Sequence, residues 1–259
     1  LAAEFMNSGS IMQRLLHFCN AIVGRFRGGL AQVNVVQSII FASMSGSALA
    51  DAAASGKIMQ SMMTRDGKYP PAFAAALTCV SSVIGPIIPP SIPLVLYALV
   101  SDASVGYLFL GGVIPGLLLA AVMSGLIAAV AKRRNFPVEL RVPLRELPRI
   151  TWQAMPALLM PVILLGCMWS GITTPTEAAA VAAAYALMLS VLLYRSVGPK
   201  DIYASLVGSA RVTVSIGMLI AGAMVFNFVI TSENIPKSLS AMLKAYELSP
   251  LVFLLAVNI

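Results

Sequence analysis

The stretch GPIIPPSIP, residues 85–93, lies in the middle of an apolar run that extends from Tyr69 to Ser101. An unbroken helix cannot contain it, because each proline removes a backbone hydrogen-bond donor and its ring clashes with the preceding turn. The stretch therefore predicts two half-helices joined by irregular backbone. In a membrane such backbone is tolerated only where protein buries it or water reaches it. Residues 69–101 are accordingly predicted to form a broken transmembrane helix.

The composition indicates that lipid surrounds much of this protein. Hydrophobic residues make up 59% of the 259 residues and charged residues only 10%, whereas about 25% is usual in soluble proteins. Several stretches without Asp, Glu, Lys or Arg are long enough to span a bilayer, among them 28–50, 103–131, 150–176 and 212–232. The sequence thus predicts an all-α polytopic membrane protein.

Basic residues flank the apolar runs, as in Lys132-Arg133-Arg134. This placement predicts that the flanks lie in the cytoplasm, where loops of membrane proteins carry an excess of Lys and Arg. It also accounts for the net charge of +7. A basic stripe with interleaved aromatic residues, which would indicate nucleic-acid binding, is not found. The resulting topology has a transmembrane helix at 102–135 and three more at 154–231.

Two further segments are too polar to span a membrane, and a third is interpreted from an internal repeat. Residues 1–27 have an amphipathic pattern that predicts an interfacial helix, and an interfacial linker helix is predicted at 136–153. Laying the N-terminus on the C-terminus matches Ser8 with Ser232 and Asn34 with Asn258. On this basis 232–259 is predicted to be an interfacial helix and the start of a second hairpin, the two halves forming an inverted repeat.

Residues 28–68 are predicted to form a re-entrant helical hairpin. Basic residues flank the apolar segment on both sides, Arg25 and Arg27 before it and Lys57, Arg65 and Lys68 after it. If both flanks are cytoplasmic, the segment must enter and return on the same side. The small residues Ser45-Gly46-Ser47 suit the tip of such a hairpin.

The tip and the proline stretch are the strongest candidates for a binding site. Free carbonyl and hydroxyl oxygens at helix breaks suit a hard cation such as sodium, and helix N-termini attract anions. In transporters built from inverted repeats, broken helices of this kind mark the substrate and ion sites. The alternative is a pair of structural kinks.

Asp51 is a second candidate, because an acidic residue within a membrane segment is a functional candidate by default. It could complete a cation site. Two alternatives remain open: it could cap the returning half-helix, or it could pair with Lys57 at the interface.

Other polar residues favour structural roles. Thr174, Pro175 and Glu177 have the spacing of a helix capping box, which is favoured over a role in transport. His17, the single histidine, lies on the amphipathic segment beside Arg14. The three cysteines lack metal-site or disulfide spacing, and no nucleophile triad, nucleotide-binding loop or zinc motif is present. An enzyme is not predicted.

Several stretches resemble the large membrane subunits of tripartite ATP-independent periplasmic (TRAP) transporters. They are GGLAQVNVV at 28–36, SGSALADAAASG at 45–56, AAALTCVSSVIGPIIPPSIPLVLYA at 74–98, GVIPGLL at 112–118 and GITTPTEAAAVAAAYAL at 171–187. The hairpin and proline motifs together are highly specific, and the resemblance covers nearly the whole chain.

The resemblance implies an elevator-type, sodium-coupled importer of small carboxylates in a bacterial inner membrane. C4-dicarboxylates, sialic acids and other sugar or keto acids are the expected substrates. A small membrane subunit and a periplasmic substrate-binding protein are the expected partners. Carried onto this sequence, the family's sodium site corresponds to Ser45, Gly46, Ser47, Gly85, Ile88, Pro89 and Ser91, to which Asp51 is added from the argument above.

Two other functions remain open from the sequence. A related divalent-anion:sodium symporter would need no binding protein, and a membrane scaffold would have no transport site. The chain does not begin with Met, and it ends at Asn258-Ile259 within an apolar run. We therefore expect it to be a piece of a longer protein that lacks the second hairpin.

Overall fold

The structure, a computed structural model, describes residues 2–6, 10–139, 142–143, 145–195 and 197–234, together with 252 and 258. Within these ranges the regular elements are helices and no strand occurs, which confirms the all-α prediction. The chain divides into two compact units, Leu1–Ser205 and Leu206–Ile259. All the packing described below belongs to the first unit. The predicted interfacial helix and second hairpin at 232–259 lie almost entirely outside the described residues.

The helices follow one another with short connections. In chain order they are α1 (Ala2–Met6), α2 (Ser10–Val23), α3 (Gly29–Ser45), α4 (Ala48–Thr64), α5 (Pro71–Ser82), α6 (Ile92–Ser101), α7 (Val105–Arg134), α8 (Leu147–Trp169), α9 (Pro175–Met188) and α10 (Pro199–Ser232). A 3-10 turn at Arg65–Gly67 follows α4, and a π-helical turn at Leu189–Leu193 continues α9.

Four of the described helices are long and apolar enough to cross a membrane: α7, α8, α9 with its π-helical turn, and α10. Helices α3, α5 and α6 are apolar but have only 10–17 residues, too few to span about 30 Å of hydrocarbon alone. This combination of long and short apolar helices supports the predicted multi-pass membrane protein.

Two apolar clusters hold the first unit together. One lies among α2, α3, α4, α5 and α7, where Val33, Phe41, Met59, Ile84 and Ile127 are at most 3% exposed. The second joins α1, α2, α8 and α9 through residues that include Phe5, Ile11, Met160 and Ala182. Helix α2 contributes to both clusters. One face of this predicted interfacial helix is therefore covered by protein, while its position at a membrane surface stays a prediction.

Helix α8 differs from the predicted division of this region. An interfacial helix was expected at 136–153, with a separate span after it, but one helix runs from Leu147 to Trp169, and residues 136–139 are not helical. The reason is a continuous apolar face: Ile150, Ala154, Ala157, Met160 and Leu164 recur at helical spacing and are all buried.

The ends of several elements meet at one end of the helical bundle. Lys68, the last residue of the predicted hairpin, forms an ion pair with Glu139, which follows α7, at 2.8 Å. The backbone N–H of Glu139 donates to the carbonyl of Gly24, which precedes the hairpin, at 3.1 Å. The start and the end of the hairpin therefore lie side by side, as a re-entrant segment requires.

Candidate functional site

The hairpin turns at Gly46 and Ser47, between α3 and α4. Gly46 has φ 63°, in the left-handed region, and its N–H donates to the carbonyl of Ala42 to cap α3. Glycine suits this position because other residues are strained there. The carbonyls of the last turn of α3 thus lie at the tip, where the partial negative charge of the helix end favours a cation.

The proline stretch packs directly against this tip. The N–H of Ile92 donates to the carbonyl of Gly46 at 3.4 Å. A Cβ on Gly46 would clash with the carbonyl oxygen of Pro90. A Cβ on Gly85 would lie 3.1 Å from the carbonyl carbon of Ser47 and 3.2 Å from the N atom of Ala48. The two helix breaks, 37 or more residues apart in sequence, are therefore in backbone contact at two points.

Ser47 and Ser91 occupy equivalent positions at the two breaks. Each is the N-cap of the following half-helix: Ser47 Oγ accepts from the N–H of Ala50, and Ser91 Oγ accepts from the N–H of Leu94, both at 3.3 Å. Ser91 Oγ also donates to the carbonyl of Pro86. These hydroxyls were predicted to be cation ligands, and each now has a local backbone partner, which leaves one lone pair of the oxygen for a ligand.

The remaining predicted residues of the breaks have different surroundings. Ser45 Oγ accepts from the N–H of Ser47 at 3.4 Å. Ile88 is buried, and its side chain packs where a Cβ on Gly116 of α7 would be. The peptide bond between Pro89 and Pro90 is cis. Because the Ile88 side chain is apolar and faces α7, only its carbonyl could serve a ligand.

Asp51 lies one turn beyond the tip and is fully buried. Its Oδ1 accepts from Ser55 Oγ at 3.0 Å, while its Oδ2 is buried without a hydrogen-bond partner. The cap of α4 is Ser47, and Lys57 is exposed to solvent or lipid. In the described part of the chain, the one ion pair joins Lys68 and Glu139. Capping and pairing with Lys57 therefore do not explain Asp51.

A buried polar network surrounds this part of the hairpin, and the sequence did not predict it. Asn34 Nδ2 donates to Thr78 Oγ1 at 3.0 Å, Ser81 Oγ donates to Asn34 Oδ1 at 3.3 Å, and Ser38 Oγ donates to Ser81 Oγ at 3.2 Å. Each of these residues is at most 2% exposed. A detectable signal existed, because Asn34 and Ser38 on α3 are four positions apart, like Asp51 and Ser55 on α4.

The capping box at the start of α9 is confirmed. The N–H of Glu177 donates to Thr174 Oγ1 at 3.3 Å, and Glu177 Oε2 accepts from the N–H of Thr174 at 2.7 Å. Both residues are exposed and remote in sequence from the two breaks. The capping interpretation of this motif is therefore confirmed, and the absence of a role in transport stays a prediction.

Comparison with known proteins gives a consistent result over the whole length. The family model described as "Tripartite ATP-independent periplasmic transporter, DctM component" matches residues 1–259. The chain is 43% identical over 259 residues to a C4-dicarboxylate TRAP transporter large permease protein of Pseudomonas aeruginosa. It is 38% identical over 259 residues to a sialic acid TRAP transporter large permease protein of Vibrio cholerae. A 2,3-diketo-L-gulonate TRAP transporter large permease protein of Escherichia coli is 36% identical over 259 residues.

In each of these comparisons the whole of this chain is covered. It spans about 60% of the length of the relatives from Pseudomonas aeruginosa and Vibrio cholerae, and 61% of the relative from Escherichia coli. The relatives are named as transporter permeases and not as enzymes.

Proposed function

The chain belongs to the DctM component family of tripartite ATP-independent periplasmic transporters, and we propose that it is part of the large permease of an importer for small organic acids. The names of its relatives support a carboxylate as the substrate, with C4-dicarboxylates and sialic acids as the leading classes. The permease would work with a small membrane subunit and a periplasmic substrate-binding protein, in a bacterial inner membrane.

The observation that carries this proposal is the contact between the two helix breaks. The N-termini of α4 and α6 begin at Ser47 and Ser91, beside the C-terminal carbonyls of α3. Positive helix ends suit the carboxylate of a substrate, and free carbonyl oxygens suit a cation. One location can thus hold both species, as expected for a secondary transporter with broken helices.

We propose sodium as the ion that drives uptake, with the substrate and the ion carried together by an elevator movement. Its ligands would be oxygens of Ser45, Gly46, Ser47, Gly85, Ile88, Pro89 and Ser91, with Asp51 nearby. These oxygens are hard ligands, as sodium requires, and the described residues contain no group of three or more His, Cys, Asp or Glu side chains that could hold a metal ion.

Uptake by the complete transporter in proteoliposomes tests this function. With the binding protein and a labelled C4-dicarboxylate or sialic acid outside, an inward sodium gradient should drive accumulation without ATP. Dissipating the sodium gradient should abolish accumulation, whereas dissipating a proton gradient should not. Undiminished accumulation without sodium would refute sodium coupling. Accumulation without the binding protein would instead favour a symporter of the binding-protein-independent type.

A further inference from the structure

A half-buried arginine lies at one end of the bundle, against an aromatic ring. The guanidinium of Arg14, on α2, lies over the ring of Tyr194, 4.9 Å from its centroid. Tyr194 follows the π-helical turn after α9, and its hydroxyl donates to the backbone carbonyl of Gln153 on α8 at 3.0 Å. Three helical segments therefore meet around Arg14, and the cation–π contact restrains its guanidinium.

Two more arginines lie at the same end of these helices. Arg149 is four residues before Gln153, so the two share one face of α8. Arg195 directly follows Tyr194 and has φ 46°, in the left-handed region, which is uncommon for a residue with a side chain. Both arginine side chains are exposed. The contact between Tyr194 and Gln153 thus brings three arginines to one level of the bundle.

The protein leaves the positive charge of these arginines unbalanced. The acidic residues of the adjoining segments are Glu4, Glu146 and Asp201. Within the described ranges none of them forms an ion pair with an arginine, and Asp201 instead accepts from the N–H of Gly198 at 2.9 Å. A guanidinium binds phosphate through two parallel hydrogen bonds. This end of the bundle therefore suits a phosphate group.

The neighbouring side chains indicate where such a phosphate would come from. Trp152, three residues after Arg149 on α8, is 79% exposed, and exposed Trp and Tyr side chains concentrate where lipid headgroups meet hydrocarbon. Leu192 and Leu193 in the π-helical turn and Met155 on α8 are also exposed. Positive charge at one end and apolar side chains beside it match the two parts of a phospholipid.

We propose that Arg14, Arg149 and Arg195 bind the phosphate headgroup of one anionic phospholipid, whose acyl chains lie along the exposed apolar side chains of α8 and the π-helical turn. The predicted orientation puts this lipid in the cytoplasmic leaflet. Three positive charges favour an anionic headgroup such as phosphatidylglycerol. In a zwitterionic headgroup an ammonium group already balances the phosphate. The residues are not those of the two helix breaks, and the ligand is neither the transported acid nor the driving ion.

Native mass spectrometry of the complete, delipidated transporter tests this site. The parent should retain one tightly bound molecule of phosphatidylglycerol, and phosphatidylethanolamine with the same acyl chains should bind more weakly. Arg14→Gln removes one charge, and the double variant Arg149→Gln/Arg195→Gln removes two. Binding of phosphatidylglycerol should weaken about fivefold in the first variant and about 25-fold in the second.

Arg134→Gln is the matched control. Arg134 is an exposed arginine at the end of α7, next to Arg133 on the predicted cytoplasmic side, and α7 takes no part in the contacts around Arg14. This variant should bind phosphatidylglycerol like the parent. The thermal midpoint without added lipid establishes folding. If Arg14→Gln fails that check, the double variant of two exposed residues and the lipid preference of the parent decide.

Three results would overturn the lipid site. The first is equal binding of the two lipids by the parent, or parental binding of phosphatidylglycerol in a folded variant. The second is an equal loss in Arg134→Gln, which would show a general attraction of anionic lipid to basic residues. The third is tight binding of inorganic phosphate at the same arginines without lipid, which would show a site for a free anion. Because the measurement involves no substrate and no sodium gradient, each result leaves the proposed function intact.

Discussion

Individual residues at the two breaks shape the backbone with the same atoms that we propose as ligands of the ion. Ser47 and Ser91 start the half-helices α4 and α6 through equal N-cap hydrogen bonds. The sequence predicted both residues as site members but not as caps. The local signal was present, because serine is a preferred N-cap, yet it is also a hydroxyl ligand. The structure shows the capping role, and the role as a ligand stays a prediction.

Replacing these serines should weaken the response of transport to sodium. In Ser47→Ala and Ser91→Ala, the lost oxygen contact corresponds to about 1–2 kcal/mol, so the half-saturating sodium concentration should rise roughly 5–30-fold. Sodium-dependent uptake in proteoliposomes measures this. Ser104→Ala is the control, because Ser104 is the N-cap residue of α7 but its side chain makes no capping hydrogen bond. Parental sodium curves in both variants would make the two breaks structural kinks.

Gly46 should be far less tolerant of a side chain than Gly67. Both glycines have positive φ, 63° and 68°, so alanine at either costs about 1–2 kcal/mol of backbone strain. Only at Gly46 would the new Cβ also clash with Pro90, since nothing lies within 4 Å of a Cβ at Gly67. Thermal unfolding of the two purified alanine variants should show the larger loss for Gly46→Ala. Equal losses would mean that the tip and the proline stretch are not in tight contact.

Among the helices, local chemistry predicts where each one breaks but not which breaks meet. Gly46 and Pro89-Pro90 are visible in the sequence as interruptions, because glycine and proline act on their own backbone. The contact between them depends on the packing of α3, α4 and α5, for which sequence spacing carries no information.

The polar network was missed for a related reason. A lone Ser or Thr in an apolar helix can bond its own backbone, as Thr78 does with Ala74, so the sequence does not distinguish a partner across helices.

Helix α9 begins with a capping box that should tolerate a neutral substitution. In Glu177→Gln the side-chain oxygen can still accept from the N–H of Thr174, so transport should stay near the parental rate. Uptake normalised to the amount of protein in the membrane is the measurement. Thr174→Ala removes the reciprocal hydrogen bond and should lower thermal stability more than Glu177→Gln does. Complete loss of transport in well-expressed Glu177→Gln would assign the carboxylate a direct role.

The whole molecule has a predicted orientation that follows from its basic residues. Arg25, Lys68, Arg133 and Lys200 should all face the cytoplasm. The structure supports part of this arrangement, because Lys68 and Gly24 both contact Glu139, five residues after Arg134.

The composition alone predicted a polytopic helical protein, since charge is too scarce for a soluble surface. It did not predict that α8 is one continuous helix, because the charged residues at its start suggested an interface.

Cysteines introduced singly at these four positions test the orientation. A membrane-impermeant thiol reagent applied to intact cells should leave all four unlabelled, and labelling should appear after the membrane is opened. A cysteine at Ser170, in the connection between α8 and α9, is predicted to face the opposite side and should react in intact cells. Labelling of the Lys68 position from outside would rule out a re-entrant hairpin.

The hairpin and the broken helix are made from one uninterrupted part of the chain. Helices α3 to α6 occupy residues 29–101, and each break supplies its own helix start at Ser47 or Ser91. Contacts between sequence neighbours form quickly, and chains fold from the N-terminus as they are made. The paired breaks can therefore assemble while α8 to α10 are still inside or near the ribosome. In the cell, the paired breaks would take shape before α8 and α9, and those two helices would dock onto a template that already exists.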